Sequence, residues 1–336
     1  MTPFFWDVSS ISFGTLCISI IGYNRKKVFF FDILHYPNKI AIKCHTILFM
    51  NSPFRLENHY EYKKWRDLKL SHYPFEENKL IFKFHDNIFD KKNLNLLKST
   101  MNNYNFAIYE FASEVSDKKL LNFCLSLGLE NSISNLFSDE DNISNITDQG
   151  ENKKKDSKSE YIPYTNKQLN WHTDGYYYPV DSAIKSFLLH CVCPAREGGE
   201  NLLIDHEIIY IHIRDHNPDF IDILMQNNIM EIPKNKNIKG SKNISGPVFY
   251  VDAKKFLNMR FTSRQQNILW KKDDMIKKIK KFIFEFITED QKYLFKLMLK
   301  KNQGYIANNV LHKRESYLDG DKKRLLKRIR FSNRLG

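Results

Sequence analysis

The sequence lacks a cysteine framework. Its five cysteines, Cys17, Cys44, Cys124, Cys191 and Cys193, include no CxxC pair and no evenly spaced set. That excludes a disulfide-stapled secreted scaffold and leaves buried thiols in a reducing compartment. Cys191 and Cys193 lie in 187-FLLHCVCPA-195, where strand alternation places both on one face. The start, MTPFFWD, has no basic leader region, and the uncharged run through Ile11 to Asn24 falls short of the roughly 18 apolar residues of a membrane span. A soluble, cytoplasmic chain is the expectation. There is no internal repeat, and no stripe in which basic and aromatic residues interleave. The formal net charge of +13, from 52 basic and 39 acidic side chains, would otherwise suggest a nucleic-acid partner. Here the lysines are scattered, with short runs at 153-KKK-155 and 277-KKIKK-281. Heavy use of Lys, Asn, Ile, Phe and Tyr is what an AT-rich genome gives. Neither nucleic acid nor membrane is expected as a partner, and homo-oligomerisation is left open.

With 42% apolar residues in 336, the chain can bury the core of one large domain or two modest ones. Residues 1–50 are apolar and aromatic without clear periodicity. They read as an extension of uncertain order: extra strands, a loosely ordered arm, or an upstream addition to the reading frame. An ordinary domain, 51–336, begins at 50-MNSPFRLENHYEYKKWRDLKL-70. Its patterns predict a helix from about 57, a strand at 79–84, a helix at 91–103, a strand at 105–111 and a helix at 117–127. Residues 138–160 carry almost no large apolar side chains and read as a mobile loop, placed to close over a neighbouring site. Strands follow at 186–193, 200–205, 248–252, 292–300 and 324–332, interrupted by helices at 206–216, 218–226 and 273–286. The fold class expected is mainly β with helical insertions, a double-stranded β-helix (jelly roll) flanked by helices.

The chemistry centres on 171-WHTDGYYYP-179. On a strand, residues i and i+2 share a face, so the His172 imidazole and the Asp174 carboxylate can approach one cation while Trp171 and Thr173 point away. A third ligand must come from elsewhere. His312, in 304-GYIANNVLHKRESY-317, follows a strand-like run and paired asparagines. Two histidines and one carboxylate fill one face of an octahedron, which suits a non-haem Fe(II) oxygenase. HxD alone is commonplace, and a surface hydrogen bond is its plainer explanation. Three features add weight. In 323-KRLLKRIRF-331, Arg324 and Arg328 share a strand face, and arginine is a natural clamp for carboxylates. A solvated basic strand is the competing reading there, above all for Arg330 and Lys327. In 197-EGGENLLID-205, two glycines make a tight turn before Asn201. In 161-YIPYTNKQLNWHTDGYYYP-179, aromatics could line a pocket; for Tyr176, Tyr177 and Tyr178, strand-end packing competes evenly. His190, inside an apolar strand, reads as structural.

The ordered set WHTDG, HCVCPAREGGENLLID, NNVLHKRESY and KRLLKR resembles the taurine dioxygenase (TauD/TfdA) family of Fe(II)/2-oxoglutarate-dependent oxygenases, from about Phe54 onward. Within it, 164-YTNKQLNWHTD-174, 189-LHC-191 and 311-LHKRESY-317 are similar to the gamma-butyrobetaine hydroxylase branch. The resemblance implies Fe(II) on His172, Asp174 and His312, and 2-oxoglutarate held by Arg324, with Asn201 where the family usually places a hydroxyl. It implies O2 as second cosubstrate, and oxidation of a primary substrate with release of succinate and CO2. Arg328 matches a position that meets anionic substrate groups, and Tyr164 one wall of an aromatic cage. With Asp174 present, hydroxylation is favoured over halogenation. The other cage aromatics and a zinc-binding cysteine cluster are missing, so carnitine synthesis does not follow. A small polar or charged metabolite is expected, with Tyr176, Tyr177 and Arg264 as further substrate contacts. The alternatives are a non-redox metal-binding jelly roll and a dioxygenase acting on a macromolecule.

Overall fold

The computed structural model describes residues 52–74, 77–85, 89–134, 142–150, 161–234, 242–289 and 292–336, and the backbone of four strands before them. The chain divides into two units, Met1–Trp65 and Arg66–Gly336. In the first, β1 (Phe5–Val8), β2 (Cys17–Asn24), β3 (Lys27–Tyr36) and β4 (Lys39–Thr46) pair antiparallel in chain order.

The second unit carries the remaining strands. These are β5 (Ile81–Phe84), β6 (Phe106–Phe111), β7 (Ser144–Ile146), β8 (Leu169–His172), β9 (Ser186–Cys193), β10 (Glu197–Gly198), β11 (Asn201–Ile204), β12 (Met230–Ile232), β13 (Ile244–Gly246), β14 (Phe249–Val251), β15 (Leu257–Met259), β16 (Leu269–Trp270), β17 (Phe295–Leu297), β18 (Gln303–Ala307), β19 (Leu311–Arg314), β20 (Tyr317–Leu318) and β21 (Leu325–Phe331). The helices are α1 (His59–Leu70), α2 (Glu77–Leu80), α3 (Lys91–Tyr104), α4 (Asp117–Leu127), α5 (His206–His216), α6 (Pro218–Leu224) and α7 (Asp274–Thr288). Two sheets matter for the site. One has six strands in the order β5-β6-β18-β9-β21-β7, the other four in the order β17-β11-β19-β8. Non-consecutive strands lie side by side in both, so each is stitched by long crossovers.

Two apolar layers hold this frame. Leu94, Leu97 and Met101 of α3 and Leu120, Phe123 and Leu127 of α4 pack on Tyr109, Leu188, Ile306 and Ile329 of the larger sheet. The helices are fixed at both ends. Asp90 and Ser116 cap their N-termini with side-chain oxygens, and Asn105 and Gly128 close their C-termini in the left-handed region. The second layer lies between the sheets, where Phe187, Leu189, Tyr305 and Ala307 meet Leu203 and Phe295. Among the described residues no helix is long and apolar enough to cross a membrane.

Three expectations change. Within the segment read as a loop, Ser144–Ile146 is a strand on β21, anchored by buried Ile143 and Ile146; residues 138–141 and 151–160 lie outside the described residues. The strand expected at 292–300 pairs only over Phe295–Leu297, and the one at 79–84 is preceded by the helical turn α2.

A buried ionic knot joins α1 to α5. Lys69 Nζ lies 2.5 Å from Asp205 Oδ2 and 2.6 Å from Glu207 Oε2. Burial alone would raise the Glu207 carboxyl, but Lys69, then His206 and Arg334, outweigh it and hold it at about 2, below its usual 4.5. A depressed folded-state value stabilises above the unfolded value and stops doing so as pH falls through the folded one; the effect is on the order of 3 kcal/mol. The gap in urea midpoint between wild type and Lys69→Met should be widest near neutrality and close as pH drops from 4.5 toward 2. A gap independent of pH would contradict this.

Candidate metal centre

The strand carrying the HxD pair is held on both edges. On one side His312 of β19 stands in register with His172 of β8. On the other, Thr173 N–H donates to Phe261 O at 2.9 Å and Ser263 N–H to Trp171 O at 2.8 Å. The imidazoles therefore meet, with ring centroids 4.3 Å apart. Each Nδ1 lies against a carbonyl two residues back, Asn170 O at 2.8 Å for His172 and Val310 O at 2.9 Å for His312. A carbonyl only accepts, so both Nδ1 atoms carry hydrogen and both Nε2 atoms keep a free lone pair. Burial, then His312, pulls His172 down to about 3, and burial lowers His312 as well, so both rings are neutral, as metal ligands must be.

Asp174 follows at the strand end. Asn309 takes its backbone from both sides, accepting from Asp174 N–H at 2.6 Å and donating to Asp174 O at 2.9 Å and Ile184 O at 2.8 Å. Asn309 sits at φ 50°, a left-handed position that asparagine tolerates. Gly175, at φ 70°, turns the chain away immediately after, and a Cβ there would collide with Ile184 Cγ1. The Asp174 carboxylate is buried. Burial would raise its pKa, but Arg328, then Arg330, hold it well below the usual carboxylate range. Arg330 Nε–H donates to Oδ2 at 2.8 Å and Nη2–H to Oδ1 at 2.5 Å, while Arg328 Nη1 lies 3.6 Å from Oδ1. Arg330 is therefore not a solvated charge on a basic strand. Lys327, on the other face, is half-buried and paired with Asp117.

As they stand, no three His, Cys, Asp or Glu side chains among the described residues converge as a metal site. Both Asp174 oxygens face Arg330. The donor set nevertheless fits a divalent cation of intermediate hardness. Two neutral imidazoles offer Nε2, and an ionised carboxylate lies close enough to act on both rings electrostatically.

A second polar group lies along the same sheets. Asn201 of β11 is in register with Arg314 of β19, and Arg314 and Arg324 both stack on Tyr317, at 5.0 and 4.8 Å from the ring centroid. Arg324 Nη1 and Asn201 Nδ2 are buried without a hydrogen-bond partner among the described residues. Such donors mark a place shaped for an anion. Gly198 and Gly199, at φ 70° and 83°, make the turn beside it, and a Cβ on Gly199 would lie 3.4 Å from Arg324 Nε. Arg314 donates to Pro163, Thr165 and Lys167 carbonyls, fixing the loop that carries Tyr164. An open cleft of about 450 Å³, lined by Asn166, Lys167, Gly198 and Tyr317, reaches this group rather than the histidines.

The remaining candidates divide. Arg328 is buried on the Asp174 side, with its Nε unpartnered among the described residues. Tyr164 is buried in the layer between the sheets. Tyr176 stands edge-on to His172, with centroids 6.4 Å apart, and Tyr177 accepts from Arg330 Nη1 at 3.2 Å. Arg264 is exposed, and its Nη1 donates to Tyr176 Oη at 3.4 Å. His190 points to the helix-covered face, stacked on Tyr109 at 5.8 Å. Sequence reasoning missed Arg330, Asn309 and Arg314 as parts of the site. The first was legible in the alternation Arg324, Arg328, Arg330; the other two act through backbone contacts that no pattern announces.

Comparison with known proteins agrees with this architecture. A Streptomyces protein named uridine-5'-phosphate dioxygenase is 32% identical over 87 residues, which cover 26% of this chain and 31% of that protein's length. The structure of AAD-2 in complex with Mn(II) and N-oxalylglycine is similar at a TM-score of 0.55 and 13% identity, over 77% of this chain and 97% of AAD-2. PvcB, described as an Fe, alpha-ketoglutarate dependent oxygenase from an isonitrile synthetic pathway, is similar at a TM-score of 0.52 and 13% identity, over 75% of this chain and 85% of PvcB. At such identities the two structural likenesses speak for the fold. The model of the taurine catabolism dioxygenase TauD, TfdA family matches residues 68–330, and the chain belongs to that family.

Proposed function

We propose that this protein is an Fe(II)- and 2-oxoglutarate-dependent dioxygenase built on a double-stranded β-helix, oxidising a small polar or charged metabolite. The observation that carries the reading is the pair of in-register imidazoles, both with Nε2 free, beside the buried Asp174 carboxylate. His172, Asp174 and His312 hold the iron, which when bound supplies oxygen activation coupled to decarboxylation of 2-oxoglutarate to succinate and CO2. The chain contributes the rest. The Asn170 and Val310 carbonyls fix the tautomers, Asn309 fixes the Asp174 backbone, and burial keeps water from the centre. Arg324 and Asn201 bind the distal carboxylate of 2-oxoglutarate with the donors they hold unpartnered.

The substrate carries an anionic group that meets Arg328, against walls formed by Tyr164, Tyr176 and Tyr177, with Arg264 at the rim. Tyr164 keeps a likeness to gamma-butyrobetaine hydroxylase, but the companion cage aromatics are missing, so a trimethylammonium group is not required. The Streptomyces relative's name adds phosphate esters to the amino acids, betaines and sulfonates worth screening. Succinate release, measured against such a panel with Fe(II) and 2-oxoglutarate, should rise above the uncoupled background for one anionic member and depend on His172. Release that never exceeds the His172→Ala background would favour a non-redox binding protein.

A further inference from the structure

Arg330 is the residue at the centre that the expected ligand set does not contain. Its side chain is as deeply buried as that of Asp174, at 5% and 4% exposure. Nε–H and Nη2–H occupy the two carboxylate oxygens, and Nη1 donates to Tyr177 Oη at 3.2 Å. The grip occupies both oxygens of the carboxylate that lies beside the paired imidazoles. A cation that takes an Asp174 oxygen competes there with the arginine, because the N–H bond and the guanidinium charge both draw on the same oxygen.

We propose that Arg330 is a positioning residue for Asp174, a latch that gives up one of its two bonds when a divalent cation binds and keeps the other. The proposal rests on the iron-centre reading and says how that centre is loaded. The bond that is kept ties down one oxygen and leaves a single oxygen for the metal, so the carboxylate binds through one atom in a set direction. The bond that is lost, and the like charge of the guanidinium, oppose the incoming cation. Arg330 therefore lowers metal affinity while it sharpens geometry. Tyr177, through Nη1, keeps the arginine aimed. Arg328, at 3.6 Å from Oδ1, shares the charge without the grip.

Mn(II) alone serves as the probe, with free Mn(II) followed by electron paramagnetic resonance in the full-length protein. Arg330→Met is expected to bind Mn(II) about tenfold more tightly than wild type, because removing a like charge this close to the cation outweighs the loss of an outer partner, while its succinate release falls. Arg330→Lys, which keeps the charge but not the fork, should lie between, and Tyr177→Phe should shift affinity the same way by less. A gain in affinity is not what a damaged fold produces. Equal or weaker binding by Arg330→Met overturns the proposal. Should that variant fail to fold, unchanged or weaker binding by both Arg330→Lys and Tyr177→Phe does so. A wild type that binds no Mn(II) defeats the iron-centre reading instead, so the two failures are distinguishable.

Discussion

His172→Ala should abolish tight binding of Fe(II) or Mn(II) and cut 2-oxoglutarate turnover by more than about a hundredfold. That figure is the upper end of what losing a mere outer partner of a metal site costs, and loss of a ligand must exceed it. The reason is geometric. The His172 ring is neutral, its Nδ1 hydrogen is committed to Asn170 O, which leaves Nε2 free, and the ring lies 4.3 Å from that of His312, its register partner. His190 lies on β9 but points into the layer under the helices, stacked on Tyr109. His190→Ala should therefore keep metal affinity, and equal losses in the two variants would mean that the effect is one of stability.

Arg324→Met should raise the KM for 2-oxoglutarate by roughly 30-fold to several thousandfold, equivalent to about 2–5 kcal/mol for truncating one side of a buried charged contact. At saturating cosubstrate kcat should fall much less, because the carboxylate proposed for Arg324 is remote from the reacting end. The guanidinium is buried on Tyr317, with Nη1 unpartnered, so the anion would fill a vacancy in its hydrogen bonding. Arg324→Lys should not restore affinity, since an ammonium cannot present two parallel donors. Asn201→Leu removes a neutral donor and should cost less, about 1 kcal/mol or fivefold. A KM unchanged in Arg324→Met, measured by succinate formation, would remove Arg324 from the cosubstrate site.

Local structure was legible where one helix face or one short strand decides the outcome. The helices 117–127 and 206–216 and the strand 186–193 fall where the sequence pattern puts them, at Asp117–Leu127, His206–His216 and Ser186–Cys193. Ser116 and Asp205 are the caps that mark the two helix starts. The strand expected at 292–300 failed because alternation is only half of what makes a strand. The other half is a partner edge, and β11 offers one to Phe295–Leu297 alone. Asp174 shows the same limit in the site. Its type and spacing relative to His172 were readable, but its partner Arg330 arrives from a strand 156 residues away. The alternation of Arg324, Arg328 and Arg330 placed three cations on one face; it did not say that one would grip a ligand. Nor could the paired asparagines show that Asn308 anchors Leu335 while Asn309 clamps Asp174.

The most direct test is an anaerobic titration of the full-length apoprotein with Fe(II) and 2-oxoglutarate, followed by visible absorption. Chelation of 2-oxoglutarate to iron at a site of this kind gives a weak charge-transfer band. The band should develop to one equivalent of iron in wild type and in His190→Ala, and should be missing in His172→Ala. Absence of the band in wild type, or its survival in His172→Ala, would contradict the assignment of this centre.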